Sequence, residues 1–136
     1  MTEKLVQIQK FVDRFQEARE NGDLDEIQLI REDLAIFGIQ HAGNILSVAK
    51  HDLDTATHNY ETIFAQKKVE YLGDKKPNTA NMQYCKLQAE ADSQVAALAQ
   101  EVLVAKKVYI LVQKSLEQLD HLSHAISSRL KIELKF

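Results

Sequence analysis

The chain has 136 residues, of which 45% are hydrophobic and 27% charged, with one proline, four glycines and no tryptophan. Helix-forming residues dominate and breakers are scarce, so the composition predicts an all-α protein with few loops. The formal net charge of -3 argues against a general nucleic-acid footprint over the whole surface.

Charge is distributed unevenly along the chain. Residues 1–59 carry six Lys or Arg against eleven acids, whereas residues 60–136 carry eleven against nine. A contact with a polyanion therefore belongs to the second half. The first fifteen residues are interrupted by charges and resemble no signal peptide, and no apolar run reaches eighteen residues. We expect a cytoplasmic protein without a membrane partner.

The first forty residues predict an N-terminal hairpin of two short amphipathic helices within one helical domain of residues 1–136. Asn21-Gly22-Asp23 ends the first helix, and Asp23 followed by Glu26 has the spacing of a capping box that begins the second. Gly38 and Gly43 weaken the second helix and predict a bend or short break. The apolar faces are Leu5, Ile8, Val12, Phe15 and Ala18 in the first helix, and Leu24, Ile27, Ile30, Leu34 and Phe37 in the second.

Two longer helices, over about residues 42–72 and 79–129, each carry an apolar seam that repeats every seven residues. The segment between them, residues 73–78, contains Gly73 and Pro77 and predicts a tight connection. A short connection between two heptad helices predicts an antiparallel hairpin over residues 41–130 with its tip at 73–78. Residues 131–136 alternate polar and apolar, which either a frayed helix end or a short strand would produce.

The middle of the second long helix, residues 101–113, is apolar nearly all round. A helix of this kind is buried on every side, so we expect it to contact more than one neighbour, in the same chain or in other subunits. The pattern predicts a homo-oligomer. The expected contact residues are Val102, Leu103, Val104, Val108, Ile110 and Leu111.

Candidate catalytic and metal-binding patterns are weak. His121 with His124, and His51 with Asp54 and His58, each share one helix face but lack the further converging ligands of a zinc site. The chain contains no phosphate-binding glycine loop and no nucleophile elbow, and long helices make poor active-site clefts. We expect neither a catalytic site, nor a metal, nor a cofactor, and therefore no enzyme. The single cysteine, Cys85, is predicted to be a small buried or half-buried side chain.

The predicted hairpin tip carries a more informative pattern. Lysines that electrostatically hold a phosphate backbone, beside aromatic rings that stack on bases, are typical of proteins that bind single-stranded nucleic acid. Equally, five lysines near a turn are often a solvated surface and the tyrosines core residues, and Glu70 and Asp74 dilute the charge. The candidate DNA-binding residues are Lys67, Lys68, Tyr71, Lys75, Lys76, Tyr84 and Lys86.

Residues 45–130 resemble the phage recombination mediators of the UvsY type. The resemblance is carried by the run Ala-Gln-Lys-Lys-Val at 65–69, by Tyr71 closing the first arm, and by Tyr109 and Ser-Arg at 128–129 in the second arm. The family's basic motif is a lysine and an arginine two residues apart shortly before the tyrosine. Here Lys67 matches the second basic position, and Ala65 stands at the first.

The resemblance implies a protein that binds single-stranded DNA as a ring-shaped oligomer. It also implies that the protein helps to load a recombinase onto strands covered by single-strand-binding protein, so those two proteins are its expected partners. The alternative is a helical adaptor, chaperone or assembly factor that binds another protein, with lysines that only keep the tip soluble.

Overall fold

The structure, a computed structural model, describes residues 2–134. These residues confirm the predicted all-α class, because they contain helices and connections and no strand. The helices are α1 (Thr2–Asn21), α2 (Leu24–Phe37), α3 (Gly43–Leu72), α4 (Thr79–Ala91) and α5 (Ser93–Leu134), with a π-helical turn at Gly38–Ala42. Within this described part, no helix is both long enough and apolar enough to cross a bilayer.

The chain divides into two compact units. The terminal unit comprises the chain up to Val48 together with the chain from Ile110 onward, and the central unit comprises Ala49–Tyr109. Helices α3 and α5 each contribute to both units. The candidate DNA-binding residues all belong to the central unit.

In the terminal unit, backbone conformation and a side-chain cap explain where α1 ends and where α2 begins. Gly22 adopts φ +64°, a conformation that favours glycine, and ends α1. The side chain of Asp23 then accepts a hydrogen bond from the backbone N–H of Glu26 at 3.1 Å, which confirms the predicted N-cap. The Arg14 guanidinium donates to Glu26 at 2.8 Å and to Asp33 at 3.0 Å, so one side chain ties the two helices together.

The predicted apolar faces of α1 and α2 are mostly buried in the terminal unit. Phe11 and Phe37 pack edge to face with ring centroids 5.6 Å apart. The carboxyl-terminal part of α5 also contributes buried side chains to this unit, from Val112 to Leu130. The buried residues of the terminal unit are Ile8, Phe15, Ala18, Ile27, Ile30, Leu34, Phe37, Ile45, Val112, Leu119, Leu122, Ile126 and Leu130.

The predicted break near Gly38 takes a milder form. The chain remains helical from α2 into α3, but five residues form a π-helical turn in place of a bend or stop. Gly38 and Gly43 have ordinary helical φ and ψ angles. A π turn accommodates an extra residue while the chain remains helical.

The prediction of one helix over residues 79–129 is wrong at Asp92, where the backbone is extended with ψ 132°. The second arm therefore consists of two helices, α4 and α5. The physical reason is local capping, because Asp92 Oδ1 accepts hydrogen bonds from the N–H groups of Gln94 at 2.9 Å and Val95 at 3.3 Å. A carboxylate that caps the next helix competes with continuation of the previous one.

At the end of the chain, residues 131–134 are helical, which decides between the two interpretations of the alternating pattern for those four residues. Lys135 and Phe136 lie outside the described residues.

In the central unit, the side chains of Ala49, Cys85, Ala89 and Val95 are buried. The burial of Cys85 confirms the small buried side chain predicted at that position.

Candidate nucleic-acid interface

The connection between α3 and α4 is shaped by two helix caps. Gly73, at φ +54°, donates its N–H to the Val69 carbonyl at 3.1 Å and ends α3 in the left-handed conformation typical of glycine. Asn78 begins α4, since its side chain accepts a hydrogen bond from the Asn81 N–H at 2.8 Å. The Asn81 side chain in turn donates to the Lys76 carbonyl at 2.9 Å. The backbone that carries the candidate lysines is therefore fixed by these hydrogen bonds.

Two of the candidate residues contact Asp92. The Tyr71 hydroxyl donates to Asp92 Oδ2 at 2.9 Å, and Lys67 Nζ lies 3.7 Å from the same oxygen. Lys67 Nζ also lies 3.4 Å from Glu70. Only 23% of the Lys67 side chain and 13% of the Asp92 side chain are exposed. Lys67 and Tyr71 therefore link the end of α3 to the junction of α4 and α5, and neither projects freely into solvent.

The electrostatics of this cluster favour the charged carboxylate. The hydrogen bond from Tyr71 lowers the pKa of Asp92, and the N–H groups of Val95 and Gln94 and the charge of Lys67 act in the same direction. The same hydrogen bond raises the pKa of Tyr71. The negative charges of Asp92 and, secondarily, Glu70 raise the pKa of Lys67. At neutral pH the cluster consists of an ionised acid, a charged amine and a neutral phenol.

Two other candidates, Lys68 and Lys86, border one open groove of about 430 Å³. Met82 also lines the groove and is 42% exposed. Lys68 Nζ also lies 4.8 Å from the centroid of the Phe64 ring, and that ring stacks on Tyr60 with centroids 5.7 Å apart. The remaining groove residues are polar or small, namely Pro77, Asn78, Thr79 and Gln83.

The last three candidates occupy the connection and the start of α4. Lys75 Nζ lies 4.5 Å from the centroid of the Tyr84 ring, a cation–π contact, and Tyr84 is 49% exposed. Lys76 is exposed. Tyr84 is therefore a surface ring and not the core residue that the alternative interpretation assigned to it.

Asp92, Phe64 and Tyr60 take part in this region but were not among the predicted site residues. The spacing of Tyr60, Phe64 and Lys68, four residues apart, was available as a signal of a shared helix face. For Asp92 the signal was weaker. An Asp-Ser pair within a helical pattern favours a cap, but no glycine or proline accompanies it.

The candidate oligomerisation residues on α5 are largely accessible. Leu103 is 51% exposed, Val104 52%, Ile110 39% and Leu111 52%. Val102 and Val108 are half-buried. Large apolar side chains with this exposure on one helix are the expected feature of a surface that binds another protein chain.

The histidine pairs do not assemble a metal site within residues 2–134, where no group of three or more His, Cys, Asp or Glu side chains is placed to hold an ion. His124 Nε2 instead lies 3.5 Å from Asp120 on the same helix.

Comparison of the chain with protein-family models, with curated proteins and with solved structures found no match.

Proposed function

We propose that the protein is a non-enzymatic mediator of DNA recombination that binds single-stranded DNA as an oligomer. The observation that carries the proposal is the groove between Lys68 and Lys86, with Tyr84 exposed beside Lys75. In this proposal α3 packs antiparallel to α4 and α5, and the connection at residues 73–78 forms the DNA-binding tip. Five of the seven predicted residues then contact the strand, and Lys67 and Tyr71 support them.

The chemistry of the groove suits a single strand better than a duplex. Ammonium groups of Lys68 and Lys86 attract phosphates from two sides of an open groove, and an exposed tyrosine offers a face on which any base can stack. Neither element reads a base edge by hydrogen bonding, so we expect little sequence preference. The proposed DNA contact also lies within residues 60–136, which carry eleven Lys or Arg against nine acids.

One subunit offers few phosphate contacts and binds weakly by itself. In an oligomer formed through α5, several tips engage one strand, so affinity increases through effective concentration. The resemblance to recombination mediators of the UvsY type adds the expected role. By that resemblance, the oligomer works in the cytoplasm and loads a recombinase onto strands that single-strand-binding protein covers.

Fluorescence anisotropy with a labelled oligonucleotide tests the proposal. The double variant Lys68→Ala/Lys86→Ala should bind more weakly, and its salt dependence should be less steep by roughly 0.7 per lost phosphate contact over about 50 to 300 mM salt. The matched control is Lys10→Ala/Lys50→Ala, which removes the same charge from exposed lysines on α1 and near the start of α3. Equal binding by the parent and both variants would place the DNA site elsewhere or remove it.

Tyr84 tests the stacking component separately. Tyr84→Ala should weaken binding by about 1 to 3 kcal/mol per stacked base with little change in salt dependence, because stacking releases few ions. Tyr84→Phe keeps the ring and should bind like the parent. A loss that is equal in both variants would assign the effect to the hydroxyl and contradict stacking.

A second candidate function is supported by a separate observation. Val69 is 69% exposed and Leu87 64% exposed, in addition to the exposed apolar residues of α5. Surfaces of this kind suit a helical adaptor, chaperone or assembly factor that binds another protein without nucleic acid. Normal oligonucleotide binding by a Val69→Ser/Leu87→Ser variant would favour the DNA-binding function, and absence of binding by the parent would favour the adaptor.

A further inference from the structure

Asp92 makes more polar contacts than the other residues of the candidate interface. Its Oδ1 caps α5 through the N–H groups of Gln94 and Val95, while its Oδ2 accepts from Tyr71 and attracts Lys67. A single half-buried carboxylate thus determines how α5 begins and where two side chains from the end of α3 are placed.

The contact between Lys67 and Asp92 has a consequence for binding an anion. A carboxylate next to an ammonium group reduces the positive charge that the lysine presents to a phosphate, and a phosphate must replace that carboxylate to bind Lys67. The ammonium group of Lys68, the next residue of α3, lies 4.8 Å from the centroid of the Phe64 ring instead. Neighbouring lysines therefore differ in their availability.

We propose that Asp92 is a positioning residue that lowers the affinity of the tip for single-stranded DNA by holding Lys67 away from the strand's phosphates. The inference rests on the proposed DNA-binding function and adds a limit on its strength. Affinity so limited lets a strand be released to a later binder, which a loading protein requires. The charge of Asp92, and not its cap or its hydrogen bond with Tyr71, produces this effect.

The substitution Asp92→Asn separates these roles. Asparagine is as good an N-cap as aspartate, so its oxygen keeps the hydrogen bonds from Gln94 and Val95. Its amide NH2 group takes the place of Oδ2 and donates to the Tyr71 hydroxyl, which then accepts, so the contact is kept without the negative charge. Asp92→Ser is a second variant that keeps a capping oxygen without charge. Both variants should retain the helical circular dichroism of the parent.

The experiment compares oligonucleotide binding by the parent, Asp92→Asn, Lys67→Ala and the double variant Asp92→Asn/Lys67→Ala across a salt series. One released lysine should add one phosphate contact. We expect the salt dependence to become steeper by roughly 0.7 and the binding to become about fivefold tighter at 0.1 M salt, since each contact scales with that power of salt concentration. Lys67→Ala should change little in the parent, but should remove the whole gain from Asp92→Asn.

Three results decide the inference. Tighter binding and a steeper salt dependence in Asp92→Asn, both lost on adding Lys67→Ala, support it. Unchanged or weaker binding by folded Asp92→Asn, while the parent still binds, overturns the inference and leaves the proposed function intact. Absence of binding by the parent and by Asp92→Asn overturns both. Glu70→Gln is the control for general charge, because Glu70 also lies 3.4 Å from Lys67 Nζ but is 64% exposed, so solvent screens that pair more than the pair with Asp92, which is 13% exposed.

Discussion

At the scale of single residues, the hydrogen bond between Tyr71 and Asp92 couples stability of the central unit to pH. The folded-state pKa of Asp92 lies below its ordinary value, so its contribution is present above about pH 4 and is lost as pH falls through the folded pKa. The folded-state pKa of Tyr71 lies above its ordinary value, so its contribution is present below about pH 10 and is lost as pH rises through the folded pKa.

The variant Tyr71→Phe tests this coupling. It removes the donor while keeping the ring, so the parent should unfold at a higher urea concentration than the variant. The difference between them should be largest from about pH 5 to 9 and should shrink at both extremes. Tyr109→Phe, on α5 of the same unit, is the control for removing a phenol. A difference that did not vary with pH would assign the stabilisation to packing.

The residue scale is also where the sequence was least informative about the site. It predicted the candidate lysines around residues 73–78, because charge and turn signals are local. It could not identify which lysine is available, because Asp92 lies 21 residues from Tyr71 and the pairing depends on how three helices meet. Lys67 and Lys68 are neighbours in the sequence, yet one contacts a carboxylate and the other an aromatic ring.

At the scale of elements, periodicity and caps predicted the helical class and most of the helix boundaries. The predicted helix at about 42–72 corresponds to α3, Gly43–Leu72, and the predicted connection at 73–78 separates α3 from α4. The break at Asp92 was missed because the apolar seam continues into α5 at Val95 and the cap depends on one side chain. The π turn was not predicted because helix periodicity does not distinguish a π turn from a bend.

The glycines provide a matched test of element boundaries. Gly73 ends α3 at φ +54°, with no atom closer than 3.8 Å to an added Cβ, so Gly73→Ala should lose about 1 kcal/mol from backbone strain alone. Gly43 is helical, and nothing lies within 4 Å of an added Cβ, so Gly43→Ala should gain roughly 0.5 to 1 kcal/mol. Urea denaturation of both variants should give changes of opposite sign in the free energy of unfolding. Destabilisation by both substitutions would contradict this account of Gly43.

At the scale of the whole molecule, the sequence predicted self-association from a helix that is apolar nearly all round. The terminal unit buries Val112, Leu119, Leu122, Ile126 and Leu130 of α5. Leu103, Val104, Ile110 and Leu111 stay at least 39% exposed on α5. Apolar side chains left in water on a single chain become favourable contacts when a second chain covers them, at about 25 cal/mol for each Å² removed from water.

Light scattering tests self-association with a charge-matched pair of variants. The parent should exceed the 15.5 kDa of one chain at micromolar concentration. Leu103→Glu/Ile110→Glu should return to that mass, because burying an unpaired carboxylate in an apolar contact costs several kcal/mol. Gln113→Glu/Gln118→Glu adds the same charge at exposed polar positions of α5 and should remain associated. A parent of 15.5 kDa would refute the oligomer.

The same two double variants test whether assembly strengthens DNA binding. If several tips act on one strand, Leu103→Glu/Ile110→Glu should weaken oligonucleotide binding even though every lysine of the tip remains, because effective concentration is lost. The weakening should be greatest for an oligonucleotide long enough to reach several tips and small for one that fills a single tip. Equal weakening at both lengths would instead indicate that the two glutamates disturb the tip itself, and the multivalent part of the proposal would then be wrong.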